Sequence, residues 1–333
     1  MPTTQPLKID AATKERLRIL FIAKHAKWDG GLHPEDGNHA IYHVETREIL
    51  RSLGLNLTLA DSFDSLFERP DADFVFPLLN RAGFLNSEMM GPLLCTRLGL
   101  PFLGASPILR GLSDDKHLAK RAAVMAGVPT ADWAIYRKGA PIERSVCPQA
   151  ERYVVKPNAS SASWGVRDAA DWSQIKAAVN EIHAEGHDAI VEPFLNGCDV
   201  EVPVITMGDP FILPQIVFEQ ADPSHLRTYG EKRDLSGESQ RYTLEPFDDP
   251  AMTQQVVEYT RRIWGEYRPF DYGRFEFRIN RDTGDIHFVE VNLNCNLWSK
   301  KVIGQAAKLH GWEHEELVET ILADSLRRNR LLT

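Results

Sequence analysis

The chain has 333 residues, 43% apolar and 26% charged, with a formal net charge of −9 and a pI of about 5.7. That length is too great for one compact core and implies two or three domains. The acidic balance argues against a nucleic-acid binder, whose footprint is a basic stripe, and obliges any anionic ligand to find a locally basic hollow. Cys95, Cys147, Cys198 and Cys295 show neither C-x-x-C nor zinc spacing, so free thiols in a reducing cytoplasm are expected. The N-terminus lacks the apolar stretch of a signal peptide, and no apolar run reaches the ~20 residues that span a bilayer. A soluble, cytoplasmic protein without a membrane partner is the expectation.

Leu17 to His25 is a mostly apolar run that predicts a buried strand, and helical spacing runs from His39 to Leu53, stopping at Gly54. Strands are predicted in NLTLAD and around Phe74–Leu79, then a helix from about Ser87 to Leu98 and a strand in LPFLGAS. Their short connections predict a small α/β layer with a largely parallel sheet. Ser113-Asp114 is the predicted start of a helix closed by Gly127 and Pro129. Trp133–Tyr136 and Arg152–Pro157 read as strands, Asp171 opens a helix, and DAIVEPFL is again a strand. From Asp199 the pattern is strand-rich, in DVEVPVITM and PFILPQIVF, before a long polar loop from about Glu219 to Pro246. A helix from Pro250 to about Tyr267 leads into a hairpin, Tyr272 to Asn294, and two helices close the chain.

That hairpin carries the strongest chemical signal. In RFEFRI the residues Arg274, Glu276 and Arg278 share one face, and HFVEVN places Glu290 and Asn292 together on the partner strand. Two carboxylates and a carboxamide are hard oxygen ligands suited to Mg²⁺, which leaves positions open for phosphate oxygens. A solvated face on which Arg274 and Arg278 neutralise the acids is the competing reading. Two lysines stand out elsewhere. Lys116 lies in the first turn of a helix, and Lys156 ends a strand before the serine-rich turn NASSASWGV, an arrangement that can clamp phosphate. The GxxxxGK[ST] phosphate loop is absent. A strand break at Asn196-Gly197 leaves backbone groups that can pair with an adenine edge, and Asp199 follows it.

The order of these parts resembles the ATP-grasp superfamily, and within it the D-alanine–D-alanine ligase branch. The resemblance runs from about Phe74 to Asn294 through the D-K-x-x-x-K helix, V-K-P and its small-residue loop, the V-E-x-F-L strand break, Y-x-E-K, R-x-E and E-V-N. It implies a mixed α/β ATP-grasp fold: an N-terminal parallel α/β domain (1–112), a central subdomain (113–195) and a C-terminal subdomain (196–333), with ATP between the last two. It further implies that Lys116, Lys156 and Ser163 hold ATP phosphates, that Glu192, Phe194 and Leu195 line the adenine slot, and that Asp199 meets the ribose. Lys232 would reach the γ-phosphate from the loop Gln220–Pro246. Glu276, Glu290 and Asn292 would carry two Mg²⁺ (or Mn²⁺) ions, and Arg274 would face the reacting carboxylate. The implied activity joins a carboxylate to an amine through an acyl-phosphate, releasing ADP and phosphate, in a homodimer.

The departures from the branch lie at the substrate sites. Asn80-Arg81 stand where a histidine-glycine pair is usual, and the first loop is longer and histidine-rich, with Glu45 as a counterpart to the usual glutamate. Leu293 to Trp298 replaces a proline-glycine turn, and Arg233 replaces a tyrosine. Arg81, Arg233, His25, Trp28 and Glu45 are therefore candidates for substrate contacts, while Trp298 reads as packing. A specialised ligase is the expectation, with an intramolecular cyclo-ligase, a non-catalytic nucleotide-binding regulator and a kinase as alternatives.

Overall fold

Apolar runs that do not alternate bury both faces of a strand, and the first sheet is built from such runs. The structure, a computed structural model, describes residues 4–78, 87–233, 235–236 and 241–332, apart from the side chains of Ser87 and Arg233. After a short helix α1 (Ala11–Arg16), β1 (Arg18–Ala23) pairs in parallel with β2 (Asn56–Ala60) and β3 (Phe74–Leu78), in the order β2-β1-β3. Helix α2 (Ala40–Ser52) makes the β1–β2 crossover, and α3 (Met90–Leu98) ends at Gly99, whose φ of 62° suits glycine. The strand expected in LPFLGAS is instead a single bridge, Val75 to Phe102. Pro101 offers no N–H to a ladder, and Gly104 turns away at φ 121° to donate its N–H to Asp271.

Helix α4 (Pro107–Asp114) was not anticipated, and it corrects the expected helix start at Ser113-Asp114. Those two residues end α4, while Asp115 in extended backbone caps α5 (Lys116–Met125) by accepting from Leu118 N–H at 2.9 Å. The second sheet is antiparallel. It holds β4 (Ala134–Tyr136), β5 (Tyr153–Pro157), β6 (Arg167–Ala169) and β7 (Ala189–Pro193) in the order β4-β7-β5-β6, backed by α6 (Trp172–Ala184), which Asp171 caps as expected.

The third sheet contains β8 (Cys198–Met207), β9 (Asp209–Ile212), β10 (Ile216–Gln220), β11 (Tyr242–Pro246), β12 (Tyr272–Asn280) and β13 (Asp285–Leu293), ordered β11-β10-β8-β12-β13 with β9 on β8. PFILPQIVF is two strands, because Pro214 cannot donate to a continuous ladder. The long polar loop likewise contains α7 (Tyr229–Arg233) and β11. Helix α8 (Pro250–Tyr267) has the expected bounds, and α9 (Val302–His310) and α10 (His314–Arg328) follow the hairpin.

One apolar core runs from Ile9 in the first layer to Leu332 at the far end of the chain. Polar groups reinforce it: buried Glu319 on α10 accepts from Ile9 N–H at 3.1 Å and pairs with Lys14 at 2.8 Å, while Thr320 accepts from Leu7 N–H at 3.0 Å. The first and last stretches are thereby clasped together. All four cysteines are free. Among the described residues no helix is long and apolar enough to cross a membrane.

Candidate active site

Lys116 is aimed by the docking of its helix. The start of α5 lies on the turn after β5: Lys116 N–H donates to Asn158 O at 3.0 Å, and His117 N–H to Asn158 Oδ1 at 2.9 Å. Lys116 Nζ then donates to Ser160 O at 2.7 Å and lies 3.6 Å from Glu290 Oε2. Lys120, one turn further along the same face, joins the cluster. Its ammonium meets Glu192 Oε2 at 2.9 Å, and Lys156 on β5 grips the other oxygen of that carboxylate. Burial alone would raise the Glu192 carboxyl; the two ammonium groups outweigh it and bring it down to about 2. Beyond Lys156 the chain turns through Ala162 and Ser163, both at positive φ (53° and 59°), a conformation that side chains with a Cβ resist.

A slot opens beside these lysines, lined by Lys120, Lys156, Ser163, Glu192, Phe194, Leu195 and Asp199, with Val289 among its apolar residues. Phe194 carries the Arg152 guanidinium on its ring at 3.9 Å. Arg278 ties the slot to the third sheet, donating to Leu195 O at 3.0 Å and to Asp199 at 2.8 Å.

Strand register builds the other half of the site. Glu201 on β8, Glu276 on β12 and Glu290 on β13 lie directly opposite one another, three acids in one row across the sheet. Like charges so placed destabilise a sheet. Burial, then the Glu201 and Glu290 carboxylates, push Glu276 up to about 8. Glu290 is half-buried, and Lys116, Lys232 and Lys156 bring it down to about 2. In the next row Arg274 faces Asn292, and its Nε lies 3.0 Å from Glu201 and 3.2 Å from Glu276. Asn292 Nδ2 donates to Glu276 at 2.6 Å and Glu290 at 3.3 Å, holding the two carboxylates together.

A bulge makes this face possible. The pairing steps from Glu276–Glu290 to Phe277–Phe288, leaving Val289 as the extra residue. Phe288 and Val291 therefore both reach the core, while Val289 enters the slot and Glu290 the acid row.

Among the described residues no group of three His, Cys, Asp or Glu side chains is set to hold a metal. The donor set of Glu276, Glu290 and Asn292 nevertheless fits a hard divalent cation, which would relieve the repulsion along the row once the Asn292 amide turned its oxygen inward. The acid face opens into a cleft shared by Arg274, Lys232, Arg227 and Tyr242, and by His39, Tyr42, His43, Asn294, Asn296 and Lys301 on the far wall.

The sequence pattern described as D-ala D-ala ligase C-terminus matches residues 123–323, more than half of the chain. The chain belongs to that family. It is 26% identical over 326 residues to the D-alanine–D-alanine ligase of Desulfotalea psychrophila, covering 95% of this chain and 97% of the relative. Among solved structures it is similar to the D-alanine–D-alanine ligase of Bacillus anthracis complexed with ATP (TM-score 0.74, 18% identity, 94% and 98% of the two chains). It is also similar to the VanG D-Ala:D-Ser ligase of Enterococcus faecalis (TM-score 0.69, 14% identity, 93% and 99%). At these identities the structural likeness establishes the fold, an ATP-grasp arrangement of mixed α/β type.

Within this family fold, the residues singled out from sequence fall into two groups. Lys116, Lys156, Ser163, Glu192, Phe194, Leu195, Asp199, Lys232, Arg274, Glu276, Glu290 and Asn292 gather at the slot and the acid face. Of the substrate candidates, Trp28, His25 and Glu45 line neither the slot nor the cleft. Trp28 packs on Phe21 at 5.4 Å, and its carbonyl accepts from Arg47. His25 stacks on His33 at 4.4 Å and lies 3.4 Å from Glu35. Glu45 accepts from Ser299 N–H at 3.3 Å, bracing the segment before α9. Arg81 and the Arg233 side chain lie outside the described residues. Trp298 is buried in the core, as expected.

Four features of the site went unassigned in the sequence. Lys120 was legible as the second lysine of D-K-x-x-x-K, and Glu201 as the alternate residue after Asp199. Arg227 carried no local pattern that marked it, whereas His39 and His43 lie in the histidine-rich first loop without being singled out there.

Proposed function

We propose that the protein is an ATP- and Mg²⁺-dependent carboxylate–amine ligase acting through an acyl-phosphate on substrates other than two D-alanines. One observation carries this: Lys232 lines one cleft with Glu201 and Glu290 of the acid row, Lys116 reaches that same Glu290, and Lys156 lines the slot beside it. Lys116 and Lys156 would hold the triphosphate and Lys232 its γ end, while Phe194 and Leu195, which line the slot, would flank the base. Glu276, Glu290 and Asn292 would hold Mg²⁺, which when bound neutralises charge on the triphosphate.

A substrate carboxylate oxygen attacks the γ-phosphorus, the bond to ADP breaks, and an acyl-phosphate forms. An amine then attacks the acyl carbon, the tetrahedral oxyanion expels phosphate, and the nitrogen gives up one proton to the departing phosphate or to solvent. Arg274, held between Glu201 and Glu276, would donate to that oxyanion. The far wall is polar, with His39, His43, Asn294, Asn296 and Lys301, which supports a substrate other than a plain small alkyl amino acid. The three units 1–112, 113–195 and 196–333, a homodimer and a cytoplasmic setting belong to the same proposal.

The test is phosphate release with ATP and Mg²⁺ across a panel of amino acids and amines, with products weighed by mass spectrometry. Release that needs two substrates, with an amide product, supports condensation. Release with one substrate indicates cyclisation or a kinase. Tight ATP binding with no release for any substrate overturns the ligase reading in favour of a regulator.

A further inference from the structure

An acyl-phosphate must be kept from water, so the segment that carries Lys232 has to be held in place while the amine arrives. That segment follows β10, and two of its charged side chains, Arg227 and Glu231, are buried. Arg227 is 7% exposed although it lies in a polar connection. Its Nη2 donates to Asp199 Oδ2 at 2.7 Å, and its guanidinium carbon lies 3.8 Å from the centre of the Phe218 ring. Phe218 and Asp199 are cross-strand partners on β10 and β8, so one guanidinium spans a pair that the register has already set side by side. Asp199 is fixed from its other oxygen by Arg278 at 2.8 Å, and Arg278 also donates to Pro223 O in the same segment at 2.9 Å. Immediately beyond Arg227, Glu231 accepts from Thr228 N–H at 2.7 Å and from Thr228 Oγ1 at 2.8 Å, with His225 on the same carboxylate. This small capped turn is α7, and it delivers Lys232 into the cleft that Arg227 also lines.

We infer that Arg227 is a positioning residue: clasped by Asp199 and laid on Phe218, it fixes the 221–233 segment over the cleft so that Lys232 meets the γ-phosphate and water is excluded. The ion pair and the cation–π stack act together, because a planar fork can hold a carboxylate at its edge while its face lies on a ring. Without the clasp, water replaces the amine as the group that attacks the acyl carbon. The acyl C–O bond to phosphate breaks, the free carboxylate and inorganic phosphate leave, and ATP is consumed with no amide formed.

The inference rests on the ligase reading, and two measurements separate their failures. The first needs no substrate: hydrogen–deuterium exchange of the full chain without nucleotide, comparing wild type with Arg227→Met. Exchange in 221–233 should quicken about tenfold, with β5 and β7 unchanged. The second uses the carboxylate and amine found in the phosphate-release panel. Arg227→Met should lower kcat for amide about a hundredfold, keep KM for ATP within about threefold, and raise phosphate released per amide above the wild-type ratio. Arg227→Lys, which keeps charge but loses fork and stack, should fall between. Should Arg227→Met not fold, Phe218→Leu removes the stack alone and should raise the same ratio. An unchanged exchange pattern, or a phosphate-to-amide ratio equal to wild type in the variant, overturns the inference. A wild type that releases no phosphate with any substrate instead overturns the ligase reading and leaves the exchange experiment to decide the clasp.

Discussion

Arg274 and Glu276 are neighbours on one strand face with opposite burdens. Arg274 is half-buried beside two carboxylates, which hold its guanidinium charged against the cost of leaving water. Its proposed task is confined to the transition state, so Arg274→Ala should leave ATP affinity nearly intact while turnover falls about a hundredfold or more. Calorimetric titration of the nucleotide alongside steady-state kinetics checks both halves, and turnover within tenfold of wild type would remove Arg274 from the reaction. Glu276 carries the opposite problem, with a carboxyl raised from 4.5 to about 8. A carboxyl with a folded pKa above its unfolded value binds an extra proton in the fold, so the ligand-free protein should lose stability as pH rises through that window. Melting curves from about pH 5 to about pH 9 should show this fall, and Glu276→Gln should flatten it. Mg²⁺ competes with the same proton, so its affinity should climb with pH up to about 8 and then level.

At the scale of elements, the junction of α5 with the turn after β5 matters most. Asn158 is buried and receives the His117 N–H on its side chain and the Lys116 N–H on its carbonyl. Asn158→Ala should cost about 1–3 kcal/mol in urea unfolding, since a buried N–H loses its partner. It should also raise KM for ATP, because Lys116 and Lys156 are aimed from the two sides of that junction. A change confined to stability would show that the junction is structural only. Elements with a strong local signature were legible: the cap at Asp171, the helix start at Pro250, the non-alternating run of β1, and the hairpin turn at Asn280–Gly284. Those that depend on distant partners were not. β11 is a strand because β10 lies beside it, whereas α4 does carry a local signal, the Ser106 cap before Pro107. The same holds within the site. Lys116, Lys156 and the E-V-N acids could be picked out as motif residues, whereas Arg227 acquires meaning only through Asp199 and Phe218, both remote along the chain.

The whole molecule is bound by contacts that ignore chain order. Asp271, 1% exposed at the entrance to β12, accepts from Gly104 N–H at 2.5 Å, Ser325 Oγ at 2.8 Å and Arg328 at 2.9 Å, joining the end of the first layer to α10. Removing its charge leaves the Arg328 guanidinium and a buried N–H short of an acceptor. Asp271→Asn should therefore destabilise the protein by about 3 kcal/mol without altering KM for ATP at permissive temperature. Denaturant titration and kinetics on the same preparation check the pair of expectations. The clasp of residues 7–14 on α10 has a consequence for synthesis. A nascent chain with α10 still inside the exit tunnel has no Glu319 for Ile9 and no Leu317, Ile321 or Leu322 to cover the core around it. Residues 7–14 thus wait for α10, and the first layer stays open to holding chaperones until that helix has emerged.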